Sequence, residues 1–506
     1  MKRDFQNSRR WIACLCAILM TTAPLLSCGG GTEADTPSTQ QNTTNTTDTA
    51  AETQETGPAT DENGYLCDGL PQLDFGGETV NLLYWSDVEN QEFEAEEFTG
   101  EIVNDAIYQR NTTVEDRLNI RYNWIGTPGN GGSIDSYVGK VRSSHTAGDN
   151  SYDILASYSR SIAGCLVNGL LTNLESAAYL DYEKPWWPDN LLEESTIDGH
   201  LYFVSGDIST NALHMMYCMY FNKQMIEDYN LPDIYELVDN GEWTVDKLYD
   251  ITKDMYRDLN GNSTADIDDQ YGFASALSNH TTTWLFSCKV PTVELHEDGT
   301  VKSVFNSERA STLIDKLRKL YNDNPGSYLT AANSAQASPM SSFMNGYSAI
   351  LTDSIGASVS QFRDVMFDYG IVPYPKYDEA QDGYYTIPGG SVSCMAVPKS
   401  TVDTELVGAV TAALARESWV SVMPDYYDIA LKVKGVRDET SIRMLDIILD
   451  GRSVTAPFLY DSFVGYNYKV ADLLGGNSEL ASYVASMDNK VIDHYESILE
   501  LFCGEE

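Results

Sequence analysis

Between Asp258 and Asp269 the chain sets oxygen-bearing side chains at alternate positions: Asp258, Asn260, Asn262, Thr264 and Asp266, with Asp269 closing the run. Carboxylates and amides spaced this way along a short loop are the hard donors that a calcium ion takes. Two positions depart from a full calcium loop. Ser263 stands where the turn favours glycine, and Asp269 stands where a longer, bidentate Glu is usual. The same composition also closes an Asx-rich turn without metal. One structural Ca2+ is thus one expectation for this stretch, and a self-bonded turn is the other.

A second set of candidates lies where apolar runs give way to polar residues. Val80–Trp85 leads into Ser86 and Asp87, and Tyr152–Ser157 leads into Tyr158, Ser159 and Arg160. Hydroxyls, a carboxylate, a guanidinium and a phenol ring can hydrogen-bond and stack against a polar solute, although each type also serves as an ordinary cap or loop residue. No HExxH, P-loop or GxSxG pattern is present. The histidines (His145, His200, His214, His280, His296 and His494) are not paired at metal-ligand spacing. Carboxylates are numerous enough to supply a pair for glycoside hydrolysis, so a surface glycosidase is the alternative reading. An adhesin would be expected to show repeats, and none is seen.

The elements that must position these residues read as strands alternating with helices. That order gives a mostly parallel sheet whose ligands sit beyond the carboxyl ends of its strands. Tyr369–Ser400 organises the rest. It holds two apolar runs, Gly370–Tyr374 and Val392–Val397, each stopped by proline, around a tyrosine-bearing loop that closes on Pro388-Gly389-Gly390. A strand, a crossing segment and a strand would hand the chain from one lobe to another. Trp186-Trp187, between Pro185 and Pro188, suits either a stacking platform or a buried anchor.

At 506 residues and a net charge of −43, the chain is long enough for two lobes and too acidic to favour nucleic acid or an anionic lipid surface. No cysteine pair has CxxC spacing. Residues 1–28 read as an export leader: Lys2, Arg3, Arg9 and Arg10 precede an apolar stretch that ends in Leu25-Leu26-Ser27-Cys28, which looks like a bacterial lipobox with Cys28 as the lipidated residue. Residues 29–75 read as a disordered tether, almost wholly Gly, Ser, Thr, Asn, Gln, acid, Ala and Pro up to Glu62.

Several stretches resemble the type II extracellular solute-binding proteins of ABC importers (family 1, the oligosaccharide-binding group). Tyr369–Ser400 resembles their second crossover, Gly199–Asp207 with Tyr220-Phe221-Asn222-Lys223 their hairpin and first crossover, Glu242-Trp243-Thr244 a helix start, and Phe343…Gly346…Ala349 the approach to a ligand-facing strand end. The motifs occur in the family's order across nearly all of the chain after the tether. The resemblance implies a bilobal periplasmic-binding-protein type II α/β fold, with a hinge and a cleft between the lobes. Lobe 1 would comprise 76–212 and 389–430, lobe 2 would comprise 213–388, and the helices of 431–506 would pack across both. It places Asp207, Ser209 and Asn211 at the cleft, Trp284 as the ring presented to a sugar, with a place in the core as the alternative for that residue, and Asp353 and Ser354 at a cleft-facing strand end. The implied protein is not an enzyme. It is a lipid-anchored extracellular protein that delivers a small-molecule solute, an oligosaccharide or a peptide, to the transmembrane subunits of an ABC permease.

Overall fold

Parallel strands covered on both faces need near-continuous apolar runs, and β1 (Glu78–Trp85) has one, with Val80 and Leu82–Trp85 buried. In the computed structural model β1 pairs in parallel with β2 (Ile120–Thr127) on one side and β3 (Ile154–Tyr158) on the other. Helix α1 (Ile102–Leu118) buries Ala106, Ile107, Arg110, Val114 and Leu118 along one stripe and stops at Asn119, which adopts the left-handed conformation with φ 50°. Helix α2 (Ile134–Ala147) follows β2 and ends at a left-handed Gly148, and α3 (Ser159–Val167) follows β3 directly. The structure describes residues 59–503 apart from residue 89 and segments 297–298, 332–337, 388–391, 436–437, 462–463 and 476–478.

After the short hairpin of β4 (Thr196–Ile197) and β5 (His200–Leu201), the chain enters a second sheet through β6 (Tyr217–Asn222). The sheet is completed by β7 (Tyr271–Ala276), β10 (Ser327–Thr330), β11 (Ser348–Ser354) and β12 (Tyr369–Val372) in the order β10-β7-β11-β6-β12, while β8 (Val293–Leu295) and β9 (Val301–Ser303) form a separate hairpin. β13 (Ser393–Ala396) then returns to the first sheet as its edge, antiparallel to β3, giving the order β13-β3-β1-β2. The Tyr369–Ser400 stretch therefore does join two sheets. Residues 205–216, 373–387 and 418–435 run between the two lobes. The last of these leaves helix Thr404–Glu417 in wide π-helical turns and reaches helix Glu439–Asp450, which packs on β12.

The tether expected over 29–75 is too long at its carboxyl end. Leu66, Leu70, Leu73 and Phe75 pack against the first lobe's core, Asp68 takes the Arg117 guanidinium in a fork at 2.5 and 2.8 Å, and Asp61 pairs with Arg416. Apolar side chains in that acidic stretch give it surface to bury, which the preceding polar run lacks. The leader, Cys28 and the rest of the tether lie outside the described residues, as do Pro388, Gly389 and Gly390.

Candidate functional site

At the carboxyl ends of the first sheet's parallel strands, facing the second lobe, lies a cavity of about 200 Å³ lined by Trp85, Asn130, Gly131, Tyr158, Arg160, Asn279 and Tyr468. Trp85 is the last residue of β1 and Tyr158 the last of β3, and the register of these neighbouring strands leaves Tyr158 one residue beyond Trp85. Their centroids are 5.6 Å apart and their planes 11° from parallel. Arg160, in the first turn of α3, lies over the Tyr468 ring with its guanidinium carbon 4.6 Å from the centroid, and its Nε donates to the Asp461 carbonyl at 2.5 Å. The Tyr158 and Tyr468 hydroxyls are 3.5 Å apart. Asn279 comes from the second lobe, where it opens the helix that follows β7.

The loop bearing Asn130 and Gly131 is held from below. Asp87 accepts the Gly129 N–H at 2.7 Å and the Asn130 N–H at 3.3 Å, and the Ser161 hydroxyl donates to the Gly129 carbonyl at 2.6 Å. A side chain at Gly129 would meet Ser157 Oγ at 2.6 Å and Trp85 Cβ at 2.7 Å, so only glycine lets the loop pass this close to the ring pair. The Asp461 carboxylate accepts the N–H groups of Gly465 and Asn467 at 2.6 and 3.1 Å, which fixes the turn that carries Tyr468.

Burial raises the Tyr158 phenol above its ordinary pKa and the Tyr468 phenol well above it, so both stay protonated and can donate or accept. Burial works against the charge of Arg160, yet Tyr158, Tyr468 and Asp461 together keep its pKa above the ordinary value. Among the described lining residues there is no carboxylate, histidine or cysteine. The site offers ring faces and hydrogen bonds, which suit recognition of a polar, ring-bearing solute better than proton transfer. A larger cavity of about 390 Å³ under helix Thr404–Glu417 has a mainly apolar wall, including Leu174, Ala177, Val204 and Val407, and contains none of the strand-end residues.

Of the residues proposed from sequence, Tyr158 and Arg160 line the cavity and Asp87 braces its loop. Ser86 is exposed beside it, its N–H bonded to the Thr127 carbonyl. Ser159 is buried at the start of α3, its N–H bonded to the Val392 carbonyl. Asn211 is buried on the first crossing segment, and its N–H donates to Glu92 at 2.8 Å. Asp353 and Ser354 end β11 but are buried, with Asp353 Oδ1 accepting the Ser354 N–H at 2.7 Å and the Ser354 carbonyl accepting the Tyr220 hydroxyl at 2.8 Å. Trp284 does not line the cavity and takes the second of its two expected places. It is fully buried, its indole N–H donates to the Tyr321 hydroxyl at 2.9 Å, and its ring meets Tyr374 edge-on at 4.9 Å. It is a core residue of the second lobe, because its helix turns that face onto the sheet. Trp186 and Trp187 are also buried, as anchors rather than a platform.

Trp85, Asn130, Gly131, Asn279 and Tyr468 were not singled out as site residues. Trp85 carried a usable signal, since it is the aromatic that ends the first strand immediately before Ser86. Tyr468 carried none, because it reaches the cavity from a turn far along the chain.

In the Asp258–Asp269 loop, Asp258 accepts the N–H groups of Gly261 and Ser263 at 2.6 and 2.9 Å, and Asp266 accepts the side-chain amides of Asn260 and Asn262. Asp269 is buried and accepts the Leu259 N–H at 3.0 Å, while Thr264 donates its N–H to Asn262 Oδ1 at 2.7 Å. Among the described residues no group of three His, Cys, Asp or Glu side chains is placed to hold a metal ion. A cation would need the Asn260 and Asn262 amides to present oxygen where they now present nitrogen, so the loop as it stands is closed by its own hydrogen bonds.

The architecture matches solved structures along most of the chain. The unliganded and acarbose-bound GacH receptor of Streptomyces glaucescens has a TM-score of 0.54 at 13% identity, covering 84% of this chain and 99% of that one. The ABC substrate-binding protein Lmo0181 from Listeria monocytogenes, in complex with cycloalternan, has a TM-score of 0.52 at 14% identity, covering 85% and 100%. The maltose/maltodextrin-binding domain MalE from Bdellovibrio bacteriovorus, bound to maltotriose, has a TM-score of 0.50 at 13% identity, covering 84% and 100%. The fold is the bilobal, type II periplasmic-binding-protein fold. No protein-family model matches the chain, and no curated protein matches it in sequence.

Proposed function

We propose that the protein is a substrate-binding protein that captures an oligosaccharide between its lobes and delivers it to an ABC permease. The observation that carries this reading is the stacked Trp85–Tyr158 pair set beside Arg160, Asn130 and Asn279 in one cavity. A pyranose presents an apolar C–H face edged with hydroxyls, and a ring plane with polar groups at its margin is complementary to both. The cavity is smaller than the roughly 300–1,000 Å³ usual for drug-sized ligands, so it takes one sugar ring at a time with the lobes in this arrangement. The solved proteins of the same fold, crystallised with acarbose, cycloalternan and maltotriose, support a sugar. Contacts from both lobes favour the closed state by population shift, which gives a permease a liganded form to recognise. Lipidation at Cys28 would hold the protein on the extracellular face of the cell membrane, with the polar stretch behind it as a tether.

Calorimetry with maltotriose, acarbose, cycloalternan and a set of short peptides tests the reading, with product analysis of each mixture. Saturable binding of a sugar without turnover is expected. Binding of peptides alone would replace the solute class, and cleavage of any sugar would replace the binding-protein reading with that of a glycosidase. For the anchor, Cys28→Ser should release the protein into the medium; retention on the membrane would remove that part of the proposal.

A further inference from the structure

Glu92 is fully buried, yet its carboxylate is not in the cavity. One oxygen accepts the Ser393 hydroxyl, and the other accepts the Ser209 hydroxyl at 2.9 Å and the Asn211 N–H at 2.8 Å. Ser393 in turn accepts the indole N–H of Trp85 at 2.9 Å. Nearby, Asn90 donates to the Thr210 hydroxyl at 2.9 Å. Arg110 of α1 donates to the backbone carbonyls of Glu92 and Phe93, each at 3.0 Å, and to the Ser418 hydroxyl at 3.2 Å. The acid therefore stands where all three segments that run between the lobes meet the first lobe: Ser209 and Asn211 on the first, Ser393 just past the second, and Ser418 at the start of the third.

We propose that Glu92 is a positioning residue: through Ser393 it sets the Trp85 ring in the cavity, and through Ser209 and Asn211 it ties that ring to the segment that crosses between the lobes. This deepens the solute-binding reading and rests on it for its consequence, though not for its geometry. A shift of residues 209–211 as the lobes open or close is passed to the ring that meets the solute, and the ring is set by the state of the hinge.

The direction of the hydrogen bonds gives the link a signature. With Glu92 ionised, the Ser393 hydroxyl donates to it and keeps a lone pair for the indole N–H. With Glu92 protonated, one carboxyl oxygen becomes a donor and the Ser393 hydroxyl must reorient, which changes the acceptor that Trp85 meets. Burial pushes the Glu92 carboxyl up to about 7, against the hydrogen bonds from Ser393, Asn211 and Ser209 and the charge of Arg110. The other titratable groups facing it are Cys394 on β13 and Tyr426 on the third crossing segment, both held protonated by burial, and Arg110, which burial pushes down to about 10 and which stays charged at neutral pH.

The test uses the full chain labelled with ¹⁵N at its tryptophan indoles, with Trp85→Phe identifying the Trp85 resonance. In the wild type that resonance should move between pH 5 and 9 with a midpoint near 7. In Glu92→Gln it should sit at a displaced position and no longer titrate. Ser393→Ala, which leaves Glu92 its Ser209 and Asn211 donors, should also abolish the titration while the far-UV spectrum and melting curve remain those of a folded protein. A Trp85 resonance that ignores both pH and the Glu92 substitution overturns the proposal and leaves Glu92 a structural acid only. With maltotriose as probe, Glu92→Gln should bind at least threefold more weakly than wild type. If the wild type ignores maltotriose while the indole titrates as described, the solute reading fails and the positioning role stands.

Discussion

Trp85 and Tyr158 face each other 5.6 Å apart and nearly parallel, at the ends of the neighbouring strands β1 and β3, whose register leaves Tyr158 one residue beyond Trp85. The Trp85 N–H is bonded to Ser393 and the Tyr158 hydroxyl meets that of Tyr468, so each ring is fixed by a polar contact from a distant part of the chain. A stacking surface held in this way is rigid before any solute arrives, which lowers the ordering cost of binding.

The two rings should therefore be unequal to any single polar contact in the cleft. Trp85→Ala and Tyr158→Ala are each expected to weaken binding of the best sugar by at least tenfold, a loss of about 1.4 kcal/mol or more. Tyr158→Phe, which keeps the plane, should cost much less. Isothermal titration of the three variants decides it; equal losses for Phe and Ala at 158 would show that the hydroxyl, and not the ring face, carries the contact.

Arg160 should be irreplaceable by lysine. Its planar group stacks on Tyr468 while its Nε reaches the Asp461 carbonyl, and an ammonium cannot satisfy both contacts. Arg160→Lys is expected to weaken binding roughly as much as Arg160→Ala, with both proteins folded. A lysine variant that binds like wild type would reduce the residue to a point charge.

Trp284, packed in the core of the second lobe, should matter for stability and not for binding. Truncating a fully buried aromatic costs about 3–5 kcal/mol, and Tyr321 would also lose the indole donor. Trp284→Ala should lower the denaturation midpoint strongly, while Trp284→Phe should cost far less. Unchanged stability with impaired sugar binding would return the ring to the cleft.

The alternation of strands and helices, the Tyr369–Ser400 crossing and the strand-end polar residues were legible because each depends on local pattern. That pattern leads to Tyr158 and Arg160, which line the cavity. What could not be read was which residues converge from far apart: Tyr468 and Asp461 close on Arg160 across some three hundred positions of sequence. Nor does the sequence of its helix decide between core and cleft for Trp284, because every residue from His280 to Ser287 is buried there. The polar composition that marks the tether runs out near Glu62, and the few apolar residues that follow, Leu66, Leu70, Leu73 and Phe75, suffice to pack the stretch up to residue 75.

The Asp258–Asp269 loop separates two outcomes. Its carboxylates are already bonded to loop N–H groups, and the Asn262 amide does most to hold the Asp266 carboxyl below its ordinary pKa. If calcium is taken up, the loop's amides must turn, and binding only to the folded state will raise the melting temperature by mass action. A rise with millimolar calcium, reversed by chelator and absent in Asp266→Asn, is the expected result for a structural calcium site. Superimposable melting curves would leave an Asx-rich turn.

Two buried groups should tilt the pH dependence of stability in opposite directions. His280 is fully buried, its Nδ1 sits 2.9 Å from the Thr352 hydroxyl, and burial pushes its pKa down to about 4 from 6.5. Between those values the unfolded chain takes up a proton that the native state refuses, so this residue withdraws stability as pH falls from 6.5 to 4. Glu92 does the reverse. Its pKa rises from 4.5 to about 7, so the native state holds a proton that the unfolded chain releases, and its contribution is present at low pH and lost as pH rises through 7. Each proton contributes a slope of up to about 1.4 kcal/mol per pH unit within its window. Relative to wild type, His280→Gln should gain stability on acidification from pH 6.5 to 4.5, and Glu92→Gln should lose it over the same range. Urea unfolding of the three proteins at pH 6.5, 5.5 and 4.5 measures both differences. Parallel profiles would mean that neither group titrates differently in the folded and unfolded states, and slopes of the same sign would refute one of the two assignments.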